Sequence, residues 1–288
     1  MKVNGQPEDW DLIIKGRTSL FDVNFGDLWR YRDLLALFVR RDFVSFYKQT
    51  ILGPLWFFIQ PIFTTLVFTF VFGNLAGIGT DGLPHELFYL TGITAWNYFA
   101  DCLTKTSTVF KDNVNIFGKV YFPRLIMPLS IVVSNLVRFG VQLVLLLAMM
   151  SFFAIGGANF EVTYAMFFFP VLVLIMALLG LGFGLVITAV TTKYKDLTFL
   201  VTFGVQLLMY ATTVIYPLSE AQKKYPDKAW IIELNPMTGV IEAFRFAFLG
   251  KGEFTPASVG YSAAFAITVF FVGIVIFNKT EKNFVDTI

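Results

Sequence analysis

Charge is scarce in this sequence. Only 15% of its 288 residues are Asp, Glu, Lys or Arg, against roughly 25% in a soluble domain. That shortfall, with 56% hydrophobic residues and 35 Phe, points to lipid rather than water around much of the surface. One cysteine, Cys102, excludes an internal disulfide and any cysteine-based metal cluster. One histidine, His85, excludes a histidine-rich metal site. No secretory signal peptide stands out, because Met1 to Asp27 is polar and mixed in charge. The expectation is insertion through internal helices.

Catalytic motifs are also missing. The sequence has no G-x-x-x-x-G-K-[ST] loop to cradle ATP, no H-E-x-x-H and no G-x-S-x-G. Asp81, His85 and Glu86 make a poor metal set, so no metal is expected. No enzymatic chemistry by this chain alone is expected.

What is present is a series of long charge-free runs. Crossing a bilayer takes about 20 mostly apolar residues. Residues 49–80, 125–137, 139–160, 162–192, 197–219 and 254–278 contain no charged residue. A further apolar run, 87–110, is interrupted by Asp101 and Lys105, and Arg138 interrupts another. These runs predict six transmembrane helices, starting near residues 52, 88, 126, 163, 198 and 257. Basic residues stay on the cytoplasmic side. Eight of the 22 Lys and Arg fall in residues 1–48 and four in 101–124. Lys193, Lys195, Lys279 and Lys282 follow the same side, whereas connections 74–86 and 156–162 hold none. Both termini are therefore expected in the cytoplasm. Basic residues that track one membrane face argue for lipid or a protein partner, not nucleic acid.

Three segments do not read as spans. Residues 27–48 are too charged to cross, yet Leu28, Tyr31, Leu35 and Phe38 recur at helical spacing. They predict an amphipathic interfacial helix, with Asp27 as its N-cap, after a cytoplasmic segment 1–26. Residues 111–124 form a loop punctuated by Gly118 and Pro123, with a short helix capped near Asp112 or Asn113. Residues 219–250 are apolar in their second half but carry Glu233, Glu242 and Arg245. Were this segment to cross, the tail 279–288 would lie outside. Two half-helices broken at Asn235-Pro236 and re-entering from outside fit better, since non-helical backbone at membrane depth needs protein or water around it. Glu242 and Arg245, three apart, can pair on one helical face.

Asp101, Lys105 and Arg138 are costly in lipid and should face protein or a wet path. Arg138 lies about 21 Å along a helix from Arg124, near mid-bilayer. Two readings stay open: a buried Asp101–Arg138 pair, or an Arg138 that faces a conduit and meets an anionic substrate.

Several landmarks occur in a fixed order. Arg41-Asp42 and Tyr47-Lys48-Gln49-Thr50-Ile51-Leu52-Gly53-Pro54-Leu55-Trp56 lead to Gln60-Pro61. Then come Lys119-Val120-Tyr121-Phe122-Pro123-Arg124, Lys193-Tyr194-Lys195-Asp196, Tyr216-Pro217, and Leu234-Asn235-Pro236 through Glu242-Ala243-Phe244-Arg245. From about residue 27 to the C-terminus this order resembles permeases of type-2 ABC exporters, the closest group being those for O-antigen, capsule and teichoic-acid polysaccharides. A type-2 exporter of drugs or another lipid would share the topology. An integral-membrane glycosyl- or acyltransferase would need carboxylates or His gathered at one membrane face.

The resemblance implies an all-α fold, a homodimer in the bacterial inner membrane and two separate ABC ATPase subunits that bind ATP and Mg. The substrate it implies is a polysaccharide on undecaprenyl pyrophosphate. Asp112, Asn115, Ile116, Phe117, Lys119, Tyr121 and Arg124 match the family's ATPase-coupling loop. The implied outer gate contains Tyr216, Pro217, Asn235, Pro236, Glu242 and Arg245. Arg40, Arg41 and Lys48 are available for lipid phosphates. Trp56, Phe57, Trp96 and Tyr98 are candidate channel aromatics, with packing or interface roles as the alternative. The family pattern has small polar residues where Asp101 and Lys105 sit, so the inner channel surface implied here is more charged.

Overall fold

The computed structural model describes residues 25–48, 51–117, 122–194 and 196–284. Lys119, Tyr121, Lys195, Gln49, Thr50, nearly all of the 1–26 segment and the end of the 279–288 tail lie outside the described residues. Among those described, regular structure is entirely helical.

Helices α1 (Phe25–Arg30) and α2 (Arg32–Tyr47) come first. Asp27 sits in the first turn of α1 and is not the N-cap expected from the sequence; a carboxylate there still meets the positive end of the helix dipole. A 3-10 turn leads into α3 (Trp56–Phe68), which continues as a π-helical stretch, Thr69–Leu75. Gly73 within that stretch is needed, because a Cβ there would stand 2.5 Å from His85 Cδ2. Helix α4 (His85–Ser107) is followed by two four-residue turns, α5 (Val109–Asp112) and α6 (Val114–Phe117). Next come α7 (Ile126–Ile155), α8 (Phe169–Lys193) and α9 (Leu197–Tyr210). The chain closes with α10 (Leu218–Lys224), α11 (Ala229–Glu233), α12 (Pro236–Leu249) and α13 (Pro256–Phe284).

Among the described residues, four stretches are long and apolar enough to cross a membrane: Trp56–Leu75, Ile126–Ile155, Tyr164–Lys193 and Pro256–Thr280. Helix α4 has the length, 23 residues, but Glu86, Asp101 and Lys105 lower its hydropathy. Its neighbours bury it instead of lipid. The run expected as one span over 197–219 is helical only to Tyr210, 14 residues, or about 21 Å. Its continuation, Thr212-Thr213-Val214-Ile215, is β-branched and a poor helix former. Thr212 Oγ1 donates to the Met209 carbonyl at 2.7 Å, and Pro217 follows in extended backbone.

Helix α8 is the hub, packed against α4 on one side and α13 on the other. Gly180, Gly182 and Gly184 make this possible. A Cβ at Gly180 would stand 2.6 Å from Cys102 Cβ, and one at Gly184 2.5 Å from Thr106 Cβ. On the other face a Cβ at Gly182 would lie 2.8 Å from the backbone nitrogen of Phe270. Small residues that let backbones approach are how helices associate where burial in lipid gives no hydrophobic drive. Thr188 and Thr191 of α8 donate to the carbonyls of Thr106 and Ser107 at the end of α4. A second apolar cluster joins Phe38, Phe110, Phe117, Phe122 and Phe277, fastening α2 and the α5–α6 turn to the bundle.

Candidate functional site

The chain brings its unusual polar residues together in three places. At the end of α4, Thr108 Oγ1 donates to Asp112 Oδ2 at 2.6 Å, and Asn113 Nδ2 donates to the Val109 carbonyl at 3.0 Å. Two four-residue turns result, and the second, α6, starts directly after Asn113, where the sequence expects a short helix. Phe117 is its anchor, with ring centroids 5.4 Å from Phe110 and 5.7 Å from Phe122. The Arg124 guanidinium lies 5.9 Å from the Phe117 ring. Asp112 and Asn115 are exposed, and Ile116 packs against the cluster. Beside it, Leu28, Tyr31, Leu34, Leu35 and Phe38 of α1 and α2 also pack on this cluster, and α2 rests on α7. Arg41 Nη2 meets Asp42 Oδ1 at 2.8 Å and lies over Phe38; Arg40 and Lys48 are exposed.

The second place is a polar seam between α4 and α7. Asn97, Asp101 and Lys105 follow one another at intervals of four, so they share one face of α4. Facing them on α7 are Gln142, Arg138 and Asn135. Asn97 Nδ2 donates to Gln142 Oε1 at 3.5 Å, and Lys105 Nζ donates to Asn135 Oδ1 at 2.7 Å. Asp101 Oδ2 lies 3.5 Å from both Lys105 Nζ and Arg138 Nη1. The Arg138 guanidinium also stacks 5.2 Å from the Phe57 ring. The group is not enclosed: side-chain exposure is 44% at Asp101, 37% at Lys105 and 23% at Arg138. Ser134, one turn away, reaches Asp42 Oδ2 at 3.5 Å and continues the polar track to α2.

The third place is the α10–α12 region. Asn235 caps α12, its side chain accepting from the Met237 backbone N–H at 3.0 Å, and Pro236 follows. Gly250, in left-handed backbone at φ 68°, ends the helix after 14 residues, too short for a bilayer core of about 30 Å. Yet α12 is deeply buried, and it carries the buried pair Glu242–Arg245 (2% and 1% exposed; Oε1 to Nη1 3.1 Å). Arg245 Nη2 donates to the Val214 carbonyl at 2.9 Å, and its guanidinium stacks 3.6 Å from the Phe88 ring of α4. Glu242 Oε2 accepts from the Glu253 backbone N–H at 3.2 Å. One ion pair thus ties α12 to α4, to the turn after α9 and to the loop before α13. Gly92 of α4 leaves the room: a Cβ there would lie 2.8 Å from Arg245 Nη2. Above the pair, Gln222 Nε2 bridges Glu233 and Glu253 at 2.9 and 3.2 Å. Partial burial pushes the Glu253 carboxyl above the usual carboxylate range, the neighbouring Glu242 and Glu233 adding to the effect and the Gln222 amide opposing it. Tyr216 Oη donates to the Tyr210 carbonyl at 3.4 Å, and Pro217 is buried at the start of α10. Asp81 accepts from Ser219 Oγ at 2.7 Å, so the 76–84 connection touches α10. Among the described residues no group of three or more metal-ligating side chains converges.

Of the four aromatics singled out by sequence, only Trp56 presents an exposed ring. Phe57 lies beneath Arg138, Trp96 packs on Phe99 at 5.2 Å and Tyr98 on Phe139 at 5.1 Å. Trp96 and Tyr98 are packing residues of this chain.

The sequence profile of the family described as "ABC-2 type transporter" matches residues 33–249, from α2 through α12. The chain belongs to the ABC-2 type transporter family. It is 27% identical over 265 residues to the O-antigen export system permease protein RfbA of Klebsiella pneumoniae, covering 91% of this chain and 96% of that protein. A protein with the same description in Myxococcus xanthus is 27% identical over 263 residues, covering 91% and 98%. The polysialic acid transport protein KpsM of Escherichia coli is 23% identical over 252 residues, covering 86% and 93%. In this ABC-2 chain the uncharged members of the seam, Asn97, Asn135 and Gln142, carry no charge that would mark them in the sequence. Their spacing relative to Asp101 and Arg138 was the available signal. Gly92 gave no signal, since the contact that needs it comes from a distant part of the chain.

Proposed function

We propose that the chain is the permease subunit of an ATP-driven exporter that moves an O-antigen-like polysaccharide, carried on undecaprenyl pyrophosphate, across the bacterial inner membrane. The observation that carries this reading is the near full-length similarity to export permeases for O-antigen and polysialic acid. Six spans serve it: α3 with its π-helical continuation, α4, α7, α8, α9 and α13, with both termini in the cytoplasm. Charge placement supports that orientation, because it gathers 16 of the 22 Lys and Arg on one side.

In this reading α1 and α2 lie at the inner interface, where Arg40, Arg41 and Lys48 receive lipid phosphates. The α5–α6 projection, with exposed Asp112 and Asn115, seats on an ABC ATPase subunit that binds ATP and Mg. Helices α10 to α12 form a re-entrant outer gate. A second copy completes the path. Helix α9 supports this, since none of its residues is buried and Phe199, Leu200, Phe203 and Leu207 point away from the chain's own core. Of the four candidate channel aromatics, Trp56 is the one whose exposed ring could meet a sugar face.

Deleting the gene tests the proposal. The expected result is loss of surface polysaccharide with lipid-linked glycan accumulating inside, both reversed by the intact chain. Unchanged surface glycan with altered drug or lipid efflux would contradict it.

A further inference from the structure

The centre of the α4–α7 seam holds two cations and one carboxylate. Both contacts to Asp101 are 3.5 Å, longer than the roughly 2.7–2.9 Å of a charge-assisted bond. Asp101 therefore holds neither cation tightly. The three side chains remain between about a quarter and a half exposed; Arg138 lies in a stretch long and apolar enough to cross a membrane, and Asp101 and Lys105 face it from α4. Ionisable groups at that depth mark substrate or ion pathways when they are not enclosed. The surroundings favour an anion. Asn135 Oδ1 holds the Lys105 ammonium at 2.7 Å, and the Phe57 ring backs the Arg138 guanidinium at 5.2 Å. Both cations are thereby positioned. The carboxylate, with two long contacts, is the component that yields most easily.

We propose that this seam binds a phosphate or carboxylate group of the exported molecule, and this rests on the export reading above. Arg138 and Lys105 take the anion. Asp101 is the resident counter-ion shared by both cations. Asn135 and Phe57 are positioning residues. The anion has two possible sources, the pyrophosphate of the lipid carrier or acidic groups along the glycan.

The experiment uses the purified full-length chain in lipid nanodiscs. Undecaprenyl pyrophosphate is compared with undecaprenol, and a uronate-containing hyaluronan tetrasaccharide with neutral chitotetraose. The expected result is that at least one charged probe binds more tightly than its uncharged counterpart. Arg138→Gln and Lys105→Gln should each weaken that probe about tenfold, Arg138→Lys should retain most of the binding, and Asp101→Asn should tighten it. Preference for the pyrophosphate alone assigns the seam to the carrier, and preference for the uronate assigns it to the glycan. Equal binding of charged and uncharged probes by the unaltered chain overturns the proposal without recourse to any variant. So does a shift in the same direction for Arg138→Gln and Asp101→Asn. Surface display of glycan in cells is scored separately. Intact display with indifferent seam variants rejects the seam alone, whereas unaltered display in the deletion strain rejects the export reading.

Discussion

Arg245 is the largest side chain that the bundle encloses completely, and its surroundings explain how a guanidinium is tolerated there. Glu242 supplies charge, Val214 a carbonyl and Phe88 a ring face. Removing one partner of a buried pair leaves the other uncompensated, at a cost of about 3–5 kcal/mol. Arg245→Met should therefore lower the thermal unfolding midpoint in detergent markedly. Glu242→Gln combined with Arg245→Met should lose less than Arg245→Met alone, because no bare carboxylate remains. Gly92→Ala should destabilise in the same assay, since its methyl group would push the guanidinium from the Val214 carbonyl. The pairing of Glu242 with Arg245 was legible in the sequence, because three residues on a helix fix their neighbourhood. What the pair fastens was not. Val214, Phe88 and Gly92 are far away in the chain, and no local pattern announces them.

At the scale of elements, periodicity and charge mark the apolar segments, of which four among the described residues are long and apolar enough to cross a membrane, but not where one of them stops. The charge-free run 197–219 reads as a single span, whereas β-branched residues and Pro217 end α9 at Tyr210. Helix α4 shows the opposite case. Asp101 and Lys105 interrupt its apolar run, yet most of its residues are buried, because α8 and α7 pack against it. In the α5–α6 turns Phe117 is buried as the anchor, whereas Asp112 and Asn115 are exposed. Charge reversal at Arg124 should abolish stimulation of ATPase activity by the chain while leaving its insertion in the membrane intact, as read by fractionation and ATP hydrolysis. Replacing Gly184 with Leu should act differently, separating α4 from α8 and lowering the yield of folded protein, because Thr106 leaves no room.

For the whole molecule, the arrangement is a hub helix, α8, with α12 pinned to α4 and packed on α13, and polar groups concentrated along the α4–α7 seam, at the α5–α6 turns and around α10–α12. Topology can be mapped from the single, buried Cys102. In a Cys102→Ala background, cysteine placed at Asn74 should react with an impermeant maleimide applied outside. Cysteine at Asn115 or Lys193 should react only after the membrane is opened. Labelling of Asn115 from outside would overturn the orientation argued from the basic residues.

ATP-dependent translocation in proteoliposomes that contain this chain, an ABC ATPase and lipid-linked glycan tests the proposed export most directly. Glycan should become protected inside vesicles carrying outward-facing ATPase when ATP and Mg are added, and Arg124→Glu should abolish this. Glycan that stays accessible with ATP present, in vesicles whose ATPase is active and stimulated by the permease, would contradict it.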